Sequence, residues 1–237
     1  LMRSDQDVPC LIRFSQAAAC DSPFLREVNL PAGSIILFDR GYHDLSRFRQ
    51  FTENNVTWVT RLRKSFKITP TRSIDVKPSQ KGSIISDQQV LAGGTTHAIN
   101  ARLITYRNSA TNECYQFLTN NFRMAALTIA DLYRKRWQIE VLFKRLKQNY
   151  PLRSFLGDTE NAIQIQIWCV MIADFIINLI KRAIAPKWAF SNLRAMIRLH
   201  LMTYSDLKAF LKAPEKALLK AFWQQKNNNF NLQLFKT

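Results

Sequence analysis

Asp131-Leu-Tyr-Arg-Lys-Arg-Trp-Gln-Ile-Glu-Val-Leu-Phe-Lys-Arg-Leu-Lys147 is the stretch on which the reading of this chain turns. Wound as a helix at about 100° per residue, it brings Tyr133, Arg136, Glu140, Lys144 and Lys147 into one stripe roughly 80° wide. Phe143, Leu146, Ile139 and Leu142 flank that stripe on one side, and Trp137 and Val141 on the other. An ordinary amphipathic helix keeps its polar and apolar faces apart. A lone glutamate among cations, closed in by apolar groups, suits a partly buried carboxylate that handles phosphate. The plainer reading is a solvated face on which Glu140 and Lys144 form an i,i+4 pair worth about 0.2–0.5 kcal/mol. Lys and Arg stems would then simply lie over apolar surface.

Composition points toward a polyanion. Thirty-four Lys and Arg stand against seventeen acidic residues, a net charge of +17, which favours fast, salt-sensitive association with nucleic acid. The cations are spread along the chain rather than gathered in a tail, so a broad folded surface is expected. Charge alone does not separate DNA from RNA. With 237 residues, 47% of them hydrophobic, the chain can bury a substantial core.

Four cysteines lie far apart, with no C-x-x-C and no zinc-like spacing to the three histidines, which suits a reduced cytosol. The first residues lack the apolar core of a secretory signal. The most hydrophobic stretch, Ile163 to Ile180, is interrupted by Gln164, Gln166, Asp174 and Asn178. Its longest apolar run, Ile167 to Ala173, is far short of the roughly 20 residues of a membrane span. A buried core helix and no membrane contact are expected.

The order of elements reads as an α/β protein. Val8 to Phe14 is an apolar run expected to form a strand, and Asp21-Ser22-Pro23 opens a short helix. Pro31-Ala-Gly is a turn; Ser34 to Asp39 reads as a fully buried strand, followed by a helix from about Asp44 to Glu53 and a strand at Val56 to Arg63. Such alternation favours a sheet with crossover helices. From Lys64 to Asn120, Pro and Gly punctuate short β-branched runs, as in antiparallel hairpins, with Gly93-Gly94 as a turn. Helices are then expected at Thr128–Asn149, Glu160–Ala183, Asn192–Leu199 and Tyr204 to about Lys226, with Asn227 as a stop.

Asp39 is the second residue with chemical promise. It ends an apolar strand ahead of Arg40-Gly41-Tyr42, where carboxylates of α/β sheets meet ligands. An Asp before a turn glycine is also an ordinary turn former.

Taken together, these residues resemble a known family. The spacing Tyr133, two residues, Arg136, three residues, Glu140, six residues, Lys147 is similar to the Y-R-E-K signature of bacterial insertion-sequence transposases with a DDE active site. The surrounding Leu127–Lys144 text, Asp39-x-Gly-Tyr and the later Val59-Thr-Arg-Leu-Arg63 resemble the same proteins, and the likeness extends from Asp7-Val-Pro past Asn161. It implies a ribonuclease-H-like core over 1–63 and 121–150, a β-rich insertion over 64–120, and C-terminal helices over 151–237 packing on the core. Asp39 matches the family's second catalytic aspartate and Glu140 its glutamate, both as metal ligands.

The activity implied is cleavage and strand transfer at the ends of an insertion sequence, with Mg²⁺ (Mn²⁺ as a substitute). Two such ions about 3.5–4 Å apart stabilise the attacking and leaving oxygens, and hard cations call for carboxylates. Arg136, Lys144 and Lys147 would hold DNA phosphates and Tyr133 a phosphate oxygen. Trp137 would stack on an unpaired base or pack in the core. Implied partners are double-stranded DNA, at transposon ends and target, and a second copy bridging two ends, in the bacterial cytoplasm at the nucleoid.

One departure stands out. The family's first aspartate lies on an earlier strand, yet only thirty-eight residues precede Asp39. Asp5, Asp7 and Asp21 are poor substitutes. The expectation is a fragment with two of three carboxylates, an open sheet edge and little cleavage by itself. The alternative is a non-catalytic DNA-binding remnant; an unrelated RNA-binding protein would lack the metal site.

Overall fold

The computed structural model describes residues 1–3, 8–12, 14, 24–42, 44–63, 65–76, 82–94, 98–152, 154–184, 188–202, 207–216 and 219. Two compact units make up the chain, Leu1–Val141 and Leu142–Thr237. The expected α/β architecture is present, and its six-stranded mixed sheet with helices is consistent with a ribonuclease-H-like domain.

The first unit opens with a small antiparallel pair, β1 (Met2–Arg3) and β2 (Val8–Pro9). The strand expected to reach Phe14 is therefore short: Pro9 has no N–H to extend a ladder, and Cys10, Leu11 and Ile12 lie outside any strand. Helix α1 covers Phe24–Glu27; the expected cap Asp21-Ser22-Pro23 lies outside the described residues, as do Asp5 and Asp7. Gly33, at φ +83°, makes the turn into β3 (Ile35–Phe38). Asp44 caps α2 (Leu45–Glu53) by accepting from the Arg47 backbone N–H at 3.2 Å, and β4 (Thr57–Arg61) returns parallel to β3. Packing drives this crossover, because Phe48 stacks on Trp58 (4.5 Å) and Phe38 (5.5 Å) between helix and sheet.

Strands β5 (Ile68–Ser73), β6 (Ile84–Ala92), β7 (Ile99–Arg107) and β8 (Cys114–Thr119) form the expected antiparallel hairpins. They continue the sheet rather than stand apart from it: β8 also pairs with β4, and the order is β3-β4-β8-β7-β6-β5. Arg102 on β7, 4% exposed, forks onto both carboxylate oxygens of Asp87 and donates to the carbonyls of Asn121 and Met124. That clamp sets the path of the segment leading into the next helix. As end strand of the described sheet, β3 is not fully buried as expected: Ile36 and Phe38 are buried, whereas Ile35 is exposed.

The single helix expected over Thr128–Asn149 is divided. Helix α3 (Ala126–Arg134) is followed by a 3₁₀ turn at Lys135–Trp137 and then α4 (Gln138–Asn149). No Pro or Gly lies at the break; it falls where Tyr133 enters the core and Trp137 leaves it. Three residues per turn instead of 3.6 rotates α4 relative to α3, so the one straight polar stripe is not formed.

In the second unit, α5 (Glu160–Ala183), capped by Thr159, α6 (Phe190–His200) and α7 (Leu207–Lys212) enclose Ile177, Ile184, Leu193, Ile197, Phe210 and Leu211. Arg145 forks onto the buried Asp174 at 2.9 and 2.7 Å. The expectation of a buried core helix for α5 needs correction, since its buried residues are Val170, Asp174 and Ile177 and its opposite, equally apolar face is exposed. The helix expected to run from Tyr204 to Lys226 is seen only in part, because residues 220–237, with Asn227, lie outside those described.

Candidate active site

Parallel pairing of β3 and β4 places Phe38 opposite Thr60, so Asp39, just past β3, comes to the same end of the sheet as Arg61, the last residue of β4. Antiparallel β8 brings Gln116 and Cys114 to that edge. The result is a cleft of about 770 Å³ lined by Asp39, Arg40, Arg61, Arg63, Thr105 and Gln116 among others. The exposed Asp39 turns back on itself: its carboxylate accepts from the Arg40 backbone N–H at 2.7 Å and its carbonyl from Tyr42 at 3.0 Å. The Arg61 guanidinium lies over the Tyr115 ring at 4.7 Å.

The helical motif contributes a second group. Tyr133 packs its ring on Phe117 (4.8 Å) in the core beneath the sheet. Arg136 sits over the Tyr133 ring at 5.7 Å and forms a salt bridge with Glu140. The ion pair of Glu140 is thus with Arg136, one turn before it, and not with Lys144 as a plain solvated face would have it. Three polar atoms here are buried without a hydrogen bond of normal geometry: the Tyr133 hydroxyl, Arg136 Nε and Glu140 Oε2. Buried polar atoms are ordinarily satisfied, and leaving one unpaired costs about 1–3 kcal/mol. Three in one place mark a site prepared for a ligand.

Electrostatics tie the two groups together. Burial pushes the Tyr133 hydroxyl up to about 12, helped by the negative charge of Asp39 and opposed by Arg136 and Arg61. At neutral pH this phenol is a donor and not a base. Desolvation lowers the Arg136 pKa, but the hydrogen bond to Glu140 and the charges of Tyr133, Glu140 and Asp39 raise it above the usual value. The charge of Asp39 is thus felt at Arg136, the partner of Glu140, although Asp39 and Arg136 line different clefts. A second cleft, of about 560 Å³, runs along β3 between Ser34–Leu37 and Arg136, Gln138 and Ile139.

The remaining predicted residues lie outward. Trp137 is 62% exposed, which excludes core packing and leaves its ring free to stack. Trp137 and Val141, one expected flank, are exposed, and the other flank is only partly buried, with Leu142 and Leu146 inside and Phe143 outside. Lys144 and Lys147 are exposed on α4, within the second unit. Arg40, Arg61 and Arg63 were not singled out from sequence; two arginines at the end of the strand expected over Val56 to Arg63, and one directly after Asp39, were the signal available.

As ligands for a metal, Asp39 and Glu140 supply the hard oxygen donors that suit a divalent cation, and Glu140 Oε2 is an orphaned donor atom. Among the described residues no group of three or more His, Cys, Asp or Glu side chains converges, so these two would hold it together with oxygens from elsewhere.

The family model for the transposase DDE domain matches residues 8–175. This chain belongs to that DDE transposase family. Relatives of the DDE transposase chain include a Sinorhizobium fredii protein named as a transposase, 33% identical over 174 residues, covering 71% of this chain and 49% of the relative. A second, named for insertion sequence element IS5377 of Geobacillus stearothermophilus, is 25% identical over 181 residues, 76% of this chain and 45% of the relative. A third, named for element IS4SA of a Synechocystis strain, is 27% identical over 176 residues, 71% and 46% respectively. The DDE chain spans about half the length of the curated relatives it matches.

Proposed function

We propose that this chain supplies part of the catalytic centre for DNA transposition: metal-dependent cleavage and strand transfer at the ends of an insertion sequence. Asp39 and Glu140 are the carboxylates that hold Mg²⁺, or Mn²⁺ in its place. When bound, the ion stabilises charge on the oxygens of the phosphodiester being exchanged. Arg136 orients the Glu140 carboxylate, and the Tyr133 hydroxyl stands ready to donate to a phosphate oxygen. Arg40, Arg61 and Arg63 form the cationic wall on which the DNA backbone lies, with Trp137, Lys144 and Lys147 as further contacts. The working form is a dimer on paired transposon ends, at the bacterial nucleoid.

The observation that supports this reading is the cluster of unpartnered atoms on Tyr133, Arg136 and Glu140, taken with an arginine-lined cleft at Asp39. Among the described residues Asp39 and Glu140 are the two carboxylates assigned to the metal, and weak or no nicking by this chain alone is the expected outcome.

Binding of Mn²⁺ and of a labelled end duplex, with and without metal, tests it. Mn²⁺ should tighten duplex binding by several-fold, and Asp39→Asn or Glu140→Gln should remove that gain. Any Mg²⁺-dependent nicking should vanish with either substitution. Binding that ignores both metal and substitutions would favour the non-catalytic remnant; nicking that survives both would sink the assignment.

A further inference from the structure

We propose that the cleft beside Asp39 reads a base: Gln116 selects an unpaired adenine in a DNA strand whose phosphates lie on Arg40 and Arg63. This rests on those arginines carrying the DNA backbone, and it adds a source of sequence preference to that role. All the residues concerned belong to the first unit. Strand register builds the floor of the cleft. Thr105 on β7 stands directly opposite Gln116 on β8, and such antiparallel partners share a face of the sheet. The residues on either side of Gln116, Tyr115 and Phe117, point to the other face, where Phe117 meets Tyr133. The floor is therefore separate from the cluster of Tyr133, Arg136 and Glu140.

Charge and hydrogen-bonding capacity choose the occupant. Among the described residues, no salt bridge engages Arg40, Arg61 or Arg63. The cleft thus has a positive rim, with Asp39 as the acid among its described lining residues, a setting that draws a polyanion and repels a basic partner. Its floor is polar and unspent. Gln116 is exposed, and among the described residues its side-chain amide has no partner. Thr105 accepts from the Ser86 hydroxyl at 2.8 Å, which fixes its oxygen and leaves its own proton to give. A planar amide sets one acceptor beside one donor, the complement of the N6 amino group and N7 of adenine. Guanine offers two acceptors along that edge, and cytosine and thymine a single polar group each, so none satisfies both ends of the amide. Phosphates on arginine fix the position of the strand, and the base contact supplies the discrimination. A paired base stays within a convex duplex, so the base that reaches this floor is one freed from its partner. About 770 Å³ is room for a nucleotide and too little for a duplex.

Short single strands test it, in EDTA so that no metal contributes. The full chain is titrated with a fluorescent short oligo(dT), and with the same strand carrying one central dA, dC or dG. The dA strand should bind at least about fivefold tighter than the dG strand. Both purines stack on protein, so that comparison isolates the hydrogen bonds. Gln116→Leu should erase the difference, and Gln116→Glu should move the preference to dC, because a carboxylate accepts from the cytosine amino group. Arg63→Ala should weaken all four strands by a similar factor. Equal binding of dA and dG by the unaltered chain, or a dA preference that survives Gln116→Leu, overturns base reading. The arginine wall still stands in that case if Arg63→Ala weakens every strand. If neither Arg40→Ala nor Arg63→Ala weakens any strand, wall and reader fall together. A dG preference lost with Arg63→Ala would give the reading to arginine and overturn the role of Gln116. So would dAMP that competes as well as the dA strand, which assigns the cleft to a free nucleotide.

Discussion

At the scale of single residues, the motif tyrosine shows why function and stability part company. The Tyr133 ring is held by Phe117, but its hydroxyl has no partner. Tyr133→Phe keeps the packing and removes the orphan. It should stabilise the DNA-free protein by about 1 kcal/mol, measured by urea unfolding, while weakening end-DNA binding several-fold. The same phenol, raised from 10.0 to about 12, binds a proton in the native state that the unfolded chain has lost. Stability is therefore complete below pH 10 and falls between pH 10 and 12, and Tyr133→Phe should make that fall shallower. Asp44 works in the opposite sense. Burial raises its pKa, but hydrogen bonds from Ser46 and the Arg47 backbone, with the charge of Arg26, bring it below the usual value. Its contribution is present above the unfolded carboxylate pKa and lost as pH falls through the folded one. Asp44→Ala should cost about 1 kcal/mol at pH 7 and progressively less in acid, as thermal melts across pH would show.

Among elements, the joints matter more than the elements themselves. Arg102 ties β7 to Asp87 on β6 and to the carbonyls of Asn121 and Met124 ahead of α3. Removing it leaves the Asp87 carboxylate buried and unpaired, so Arg102→Ala should cost about 3–5 kcal/mol. Arg102→Met with Asp87→Leu should cost much less than the two single changes combined, a comparison made by denaturant unfolding of the full cycle. Most element positions were legible in the sequence, because they rest on local signals such as Asp44 before α2 and Pro31-Ala32-Gly33 before β3. The 3₁₀ turn was not. It falls where Tyr133 packs on Phe117 of the preceding strand and Trp137 turns to solvent, a contact between elements that helical periodicity does not register.

For the whole molecule, a charge of +17 predicts DNA affinity that falls steeply with salt. If Arg61 and Arg63 each neutralise a phosphate, replacing both with Ala should reduce the slope of log K against log salt by about 2, in titrations of a duplex at several ionic strengths. An unchanged slope would mean that the cleft by Asp39 is not where the DNA backbone lies. The composition made a polyanion the expected partner; it did not say which arginines gather.

What the sequence determined by itself was what short-range physics encodes: the kinds of element, their caps and turns, the Tyr133–Lys147 spacing, and Asp39 at a strand's end. Three decisions belonged to the tertiary structure. Parallel β3 and β4 put Arg61 and Arg63 beside Asp39, side-chain placement gave Glu140 to Arg136 instead of Lys144, and packing chose which of two apolar faces of α5 to bury. Each depends on strand register or on competition between distant surfaces, and a side chain's neighbours along the chain carry no record of either.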